Sequence, residues 1–448
     1  MMNLLKMIRK FGSNVVMLVV NLILYIFKGI QYLFSLPSLI YKKVNLFLKS
    51  GNVVIKESFI ALLICAIGDL FAGIVLGNMT FFLKTYPGLM VIIPGAIGMR
   101  GNIFGSFGSR LSTHLHIGTL SPKFEMSDIL IENISSSLIL TMLLSVLLAV
   151  IGYIVCLIFN FQCISLFDLV LILFVAGLIS TIIMLPITMF ISLKSYENGW
   201  DPDNITTPLI AAFGDFLTLP SIIVSVILIS LFTDLYVLKI TLFLVVIAIV
   251  TVGFVYGYHH ETGIKRIVRQ STPVLLACSI LGALAGGVLN NSLSTLLKNQ
   301  TLLTLIPLFS GESGGLVSIL GARLSSALHS GLIEPSLKPK EHTIENFTII
   351  LILAIIMYPI IAIMAETSTI GFGGIGIGYP NIILISFISG MILVLFMIFI
   401  VYYISAFSYG KGLDPDNIVI PLSTSLTDSI STLILIMVSL TILGLTVI

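Results

Sequence analysis

Of the 448 residues, 9% are charged and 57% are hydrophobic, with a formal net charge of +2, whereas soluble domains carry about 25% charged residues. This excludes a soluble enzyme and gives no basis for a nucleic-acid partner; apolar runs of about 20 residues recurring along the chain specify a polytopic helical membrane protein in contact with lipid. The four cysteines, Cys65, Cys156, Cys163 and Cys278, contain no Cys-x-x-Cys, so neither zinc nor a redox pair is indicated.

Residues 1–57 carry eight basic side chains, Lys6 through Lys56, and no acid before Glu57. The apolar stretch 15–27 is short, is followed by Lys28 and has no small-residue cleavage site after it. It reads as a basic interfacial helix on the cytoplasmic leaflet, not a signal peptide; a further span reaching residue 40 is the alternative. The segment 58–235 holds apolar runs at roughly 58–83, 88–116, 130–159, 167–193 and 205–232. The second run is interrupted by Pro94, Gly95, Gly98, Gly101, Gly105 and Gly108, the pattern of a discontinuous or closely packed helix facing protein or a water-filled cavity. A connecting span and cytoplasmic loop follow at 236–271, and the segment 272–448 has runs near 273–297, 301–329, 345–365, 380–408 and 417–448.

The two segments are copies. Asp201-Pro202-Asp203-Asn204-Ile205, with Pro208 and Asp215 downstream, recurs 213 residues later as Asp414-Pro415-Asp416-Asn417-Ile418, with Pro421 and Asp428. Arg110-Leu111-Ser112 recurs as Arg323-Leu324-Ser325 at the same offset of 213. A constant offset means tandem duplication without net insertion. With a cytoplasmic N-terminus, Arg110, Lys123, Lys194, Lys265, Arg266, Arg269, Arg323, Lys338, Lys340 and Lys411 fall at cytoplasmic ends, and only Lys84, Lys239 and Lys298 at outer ends. Five spans plus one connector make an even number, so the repeats are parallel and related by a pseudo-twofold axis along the membrane normal. The expected architecture is therefore all-α, with two five-helix repeats joined by a transmembrane connector, and one complete pore between them in one chain.

Asp215 and Asp428 lie about ten residues into the last span of each repeat, and neither span contains Lys or Arg. A carboxylate near the bilayer centre costs about 2.5–3.5 kcal/mol on insertion scales and marks an ion path or a pair. Two such charges near one axis repel unless a cation lies between them, and oxygen-only ligands favour a hard ion such as Mg²⁺ or Ca²⁺. One turn back, Ala211 and Thr424 expose backbone carbonyls. Thr207 with Pro208, and Ile420 with Pro421, stand two turns back, where each Pro frees a carbonyl near Asn204 or Asn417. Asp201, Asp203 and Asn204, and their copies Asp414, Asp416 and Asn417, suit helix N-caps or a cation-concentrating mouth. Asn102 and Glu312 offer further oxygens from the glycine-rich runs. Asp69 lies mid-span in the first repeat where the second has Gly282, and Arg100 is placed to pair with Glu312 or Asp69.

At these motifs the chain resembles the MgtE-type magnesium channels and their tandemly duplicated solute-carrier relatives in eukaryotes, from about Ser58 onward. The matching pieces are Pro94 through Asn102, Arg110-Leu111-Ser112, the Asp-Pro-Asp-Asn stretch, Pro208 and Asp215, with the second copies at Arg323-Leu324-Ser325, Pro421 and Asp428. The resemblance implies five-span units paired around a pore in the cell membrane, hydrated Mg²⁺ bound at Asp215 and Asp428, and a carbonyl contributed by Ala211. It implies transport, not enzymatic catalysis, with Mg²⁺ as the cargo and no organic cofactor. Two other readings compete. A sodium- or proton-coupled divalent-cation exporter would use the same scaffold. An intramembrane aspartyl protease is weakly suggested by Gly214-Asp215, but Leu426-Thr427-Asp428 lacks the glycine.

Overall fold

The structure, a computed structural model, describes residues 52–121, 126–197, 202–232, 236–259, 263–336, 338–411 and 415–444. The basic segment expected at 1–57 falls almost wholly outside the described residues. So do Asp201 and Asp414, and the side chains of Asp203, Asn204, Thr207, Pro208, Asp416 and Asn417.

Thirteen helices are described, and eleven of them are long and apolar enough to cross a membrane. The first copy comprises α1 (Asn52–Asn78), the short α2 (Thr80–Thr85), α3 (Leu89–Ile117), α4 (Asp128–Ile158), α5 (Leu166–Glu197) and α6 (Pro202–Ser230). The connector is α7 (Tyr236–His259). The second copy repeats the order with α8 (Gly263–Asn291), α9 (Leu293–Lys298), α10 (Gln300–His329), α11 (Glu341–Gly371), α12 (Tyr379–Gly410) and α13 (Pro415–Ile442). Helix ends follow local chemistry. The Ser127 hydroxyl accepts from Leu130 N–H at 3.3 Å and caps α4. Gly118 closes α3 at φ 77°, a left-handed conformation that a glycine adopts without a Cβ penalty.

Two expectations change. The glycine-rich second run is one unbroken helix, α3, with Pro94 inside it. Its glycines serve close packing: a Cβ on Gly95 would lie 2.6 Å from Leu148 Cδ1. The stretch 263–271, expected as loop, already belongs to α8, because Ile264 and Val268 recur at helical spacing and are buried.

The repeats do not sit side by side as closed units. Helix α1 packs on α10 and α11 of the second repeat as well as on its own α6; α8 packs on α3 and α4 of the first repeat and on its own α13. The crossings are built alike. A Cβ on Gly73 would overlap the Thr304 carbonyl oxygen, and a Cβ on Gly286 would overlap that of Val91. Both partners in each crossing are 213 residues from their counterparts. Small residues allow this backbone approach where no hydrophobic force drives helices together in lipid. The glycine-rich helices α3 and α10 are the most enclosed of the spans. The connector α7 is the least enclosed, with Val246, Val250 and Gly257 as its buried residues, so it lies on the outside of the bundle.

A second repeated device ties α3 and α10 to their neighbours. Arg110 Nε donates to Asn133 Oδ1 at 2.6 Å, and Arg323 Nε donates to Asn346 Oδ1 at 2.6 Å. Each Asn is itself anchored through Nδ2 to the carbonyl one turn earlier, Ile129 or His342, at 2.9 Å. Asn133→Ala leaves Arg110 with a further unmade bond in a largely buried setting and should lower stability by about 1–3 kcal/mol. Thermal unfolding of the purified protein in detergent measures this, and an unchanged transition for both Asn133→Ala and Asn346→Ala would contradict it.

Candidate cation site

Asp215 and Asp428 sit at mid-helix in α6 and α13, each half-buried. They are near enough for the field of one to act on the other. Neither has a Lys or Arg within ion-pairing distance among the described residues. Their surroundings differ. Asp428 Oδ1 accepts a hydrogen bond from Ser310 Oγ on α10 at 2.6 Å. Its Oδ2 would lie 3.4 Å from a Cβ on Gly98, so the side chain spans from one repeat to the glycine-rich helix of the other. Asp215 instead has the Asp69 carboxyl from α1 within hydrogen-bonding reach. Asp69 is 2% exposed, and its Oδ2 fills the space that a Cβ on Gly311 would need.

Glu312 lies on α10 beside Gly311 and is 0% exposed, and neither carboxyl oxygen has a hydrogen-bond partner among the described residues. Asp69 feels the charge of Asp215, Glu312 and Asp428, so four carboxyls share one electrostatic neighbourhood. The expected ion pair of Arg100 with Glu312 or Asp69 is not formed: its guanidinium points toward α4 and meets Ser145 Oγ at 3.4 Å.

The other candidate ligands are distributed around this centre. Asn102 Nδ2 donates to Ser425 Oγ at 3.0 Å, linking α3 of the first repeat to α13 of the second. Its amide oxygen is the half left to accept from water. Ala211 packs 3.8 Å from where a Cβ on Gly101 would be, which brings the backbones of α6 and α3 together. Thr424 Oγ1 turns back on its own helix and donates to the carbonyls of Ile420 at 2.9 Å and Pro421 at 3.2 Å. The Pro421 carbonyl also accepts a weak hydrogen bond from Cys278 Sγ at 3.7 Å. Among the described residues, no group of three His, Cys, Asp or Glu side chains is arranged to hold a bare metal ion. Separated carboxylates with neighbouring hydroxyl and amide oxygens suit a cation that keeps its water, as Mg²⁺ characteristically does.

Sequence reasoning missed Ser310 and Ser425. Their counterparts are Ile97 and Ala212, so the repeat gave no sign of them. The Asn133 and Asn346 anchors were also missed, although their 213-residue spacing matched that of Arg110 and Arg323 and was available as a signal.

Eleven apolar helices in duplicated order, with acids at mid-helix beside a glycine-rich crossing, define a polytopic all-α membrane protein of the ion-translocating class. The MgtE family model, described as a divalent cation transporter, matches residues 93–225 and 306–438, and the chain belongs to that family. The chain is 24% identical to chicken (Gallus gallus) solute carrier family 41 member 2 over 405 residues, covering 85% of this chain and 69% of that protein. The human (Homo sapiens) member 2 gives 23% over 406 residues with the same coverage. Mouse (Mus musculus) solute carrier family 41 member 3 gives 24% over 415 residues, covering 85% of this chain and 80% of the relative. No solved structure matches the chain.

Proposed function

We propose that the chain moves Mg²⁺ across the cell membrane along a path between its two repeats, with the hydrated ion held by Asp215 and Asp428. The observation that carries this reading is the pair itself. Two half-buried carboxylates sit at equivalent depth, within each other's field, and no cationic side chain among the described residues neutralises them. A divalent cation supplies the missing charge, and its water shell bridges to both carboxylates and to Asn102 without a tight cage. Thr424 and Ala211 flank the path. The swapped first helices support one complete pathway per chain, because each half is completed by the other. The basic ends support a cytoplasmic N-terminus in the plasma membrane. Membership of a transporter family favours ion movement over the aspartyl-protease reading and over any enzymatic activity.

The test is flux in liposomes holding the purified full-length chain. Uptake of Mg²⁺ down its own gradient, saturable and dependent on the protein, is the expected result. Equal flux in protein-free liposomes and in liposomes with the chain would end the proposal.

A coupled carrier is favoured over a simple channel by one feature. Asp69 and Glu312 are buried acids found on one side of the pseudo-twofold only, facing Gly282 and Met99 as counterparts. An additional monovalent cation or proton can occupy that side. Imposed sodium and proton gradients should therefore change Mg²⁺ flux, and Asp69→Asn or Glu312→Gln should blunt that response. Identical gradient dependence in both variants and the parent would assign these acids to structure.

A further inference from the structure

Two of the four cysteines meet at one end of the bundle, although their spacing in the chain gives no sign of it. Cys156 lies in the last turn of α4 and is buried; Cys163, seven positions on, lies in the loop before α5 and is partly exposed. Their sulfurs are within hydrogen-bonding reach of each other. The backbone brings them together. Asn160 takes a left-handed φ of 54°, Phe161 N–H donates to the Cys156 carbonyl at 2.8 Å, and Asn160 N–H donates to the Leu157 carbonyl at 3.3 Å. This is a Schellman closure, which reverses the chain at the end of α4. Cys163 is then fixed from the other side. Ile164 N–H donates to the Pro87 carbonyl at 3.0 Å, and a Cβ on Gly88 would overlap Cys163 Sγ. Gly88, at φ 89°, opens α3. The thiol pair therefore stands where the α4–α5 loop lies on the turn into the glycine-rich helix.

The second repeat builds the same turn and holds its loop by another device. Gly373 is at φ 79°, Gly374 N–H donates to the Thr369 carbonyl at 2.9 Å, and Gly373 N–H donates to the Ile370 carbonyl at 3.0 Å. Each of these residues is 213 positions from its counterpart. There the buried Glu366 carboxyl on α11 clasps the loop, accepting from Thr301 Oγ1 at 2.8 Å, Ile377 N–H at 3.2 Å and Gly378 N–H at 2.6 Å. A Cβ on Gly376 would overlap Glu366 Oε1, so the missing side chain makes room for the carboxyl. The first-repeat counterparts of Glu366, Thr369 and Gly376 are Tyr153, Cys156 and Cys163. The first repeat has no carboxyl at that place and has two thiols beside the loop instead. A thiol is a weak donor and a weak acceptor, so the pair matches the carboxyl clasp only by a covalent bond.

We infer that Cys156 and Cys163 form a disulfide that clasps the α4–α5 loop onto the turn into α3. The step is thiol–disulfide exchange with a low-molecular-weight disulfide of the oxidised-glutathione class. Cys163, the more exposed thiol, attacks as its thiolate, breaks the small molecule's S–S bond and releases one thiolate. Cys156 then displaces the second. The two protons lost by the cysteines go to the two leaving thiolates, so two protein thiols are oxidised and one small disulfide is reduced to two thiols. The sulfurs, already neighbours, close to the bonded distance of about 2.0 Å. The orientation given under the proposed function puts this loop on the outer side, where such bonds persist. The pairing itself is independent of the cation reading.

The full chain, purified in detergent and fully reduced, is incubated with oxidised glutathione and then unfolded in an alkylating reagent. Mass spectrometry should count two free thiols where the reduced chain has four, with the bond mapped to the peptide holding Cys156 and Cys163. The unfolding temperature should rise by about 2–4 °C, as closing a short loop requires. Cys156→Ala should abolish the rise and leave Cys163 as a mixed disulfide with glutathione; Cys163→Ala should leave Cys156 a free thiol. If Cys156→Ala does not fold, Cys163→Ala carries the test, because its side chain is partly exposed. Four free thiols in the oxidised parent, or the same loss of two thiols in the variants, would overturn the inference. On sealed cells, a membrane-impermeant maleimide should label the reduced Cys163 from outside. Labelling only after permeabilisation would place the pair in a reducing compartment and overturn the clasp as a native bond, while the flux result would stand unchanged.

Discussion

Asp215→Ala and Asp428→Ala should each reduce Mg²⁺ flux at least ~10-fold, equivalent to about 1.4 kcal/mol lost at the ion site or along its path, while the protein still inserts and folds. Each substitution removes one of two carboxyl groups that lie within each other's field and have no cationic partner among the described residues. The two losses should not be identical. Asp428 is positioned by Ser310, so Asp428→Ala also frees that hydroxyl, whereas Asp215→Ala leaves the Asp69 carboxyl to occupy part of the vacated field. Asp428→Ala is therefore the more damaging. Asp→Asn at either position should cost less, because an amide oxygen still accepts from the ion's water. Liposome flux measured on matched amounts of folded protein decides this. Parent-like flux from both alanine variants would remove the central claim.

Gly73→Ala and Gly286→Ala should each destabilise the bundle by about 3 kcal/mol or more, at or beyond the top of the usual range for overpacking. The added Cβ meets a backbone carbonyl, of Thr304 or of Val91, and not a side chain that can rotate away. Backbone cannot yield without separating α1 from α10 or α8 from α3, the contacts that join the repeats. The control is Gly314→Ala, where nothing lies within 4 Å of the new atom and helix propensity favours Ala by about 1 kcal/mol. Size-exclusion profiles and unfolding temperatures in detergent give the result. Parent-like stability for both Gly73→Ala and Gly286→Ala would mean the swapped crossings are looser than described.

The class of protein, the number of spans and the duplication were legible in the sequence for separate physical reasons. Lipid demands about 20 apolar residues per helix, so composition alone reveals the spans. Ten of the eleven spans are pairs at a fixed offset, from which the equivalence of Asp215 with Asp428 follows directly. The glycine-rich run was harder. Its Pro94 and glycines allow either a broken helix or a tight crossing, because both need the same residues, and only the neighbouring backbones of α8 and α6 select the second.

Local pattern also determined which carboxylates lie at depth, since an acid inside an apolar run has few other places to be. Tertiary structure alone decided how they are partnered. Asp69 meets Asp215 only because α1 packs on α6, where a Cβ on Gly68 would lie 2.9 Å from Ala212 Cβ, and Asp428 meets Ser310 only because α10 lies against α13. The direction of Arg100 is of the same kind. Its place in the motif suggested Glu312 or Asp69, but side chains on one helix diverge by about 100° per residue. That rotation turns the guanidinium away from the acids and toward Ser145, a relation that no offset or motif contains.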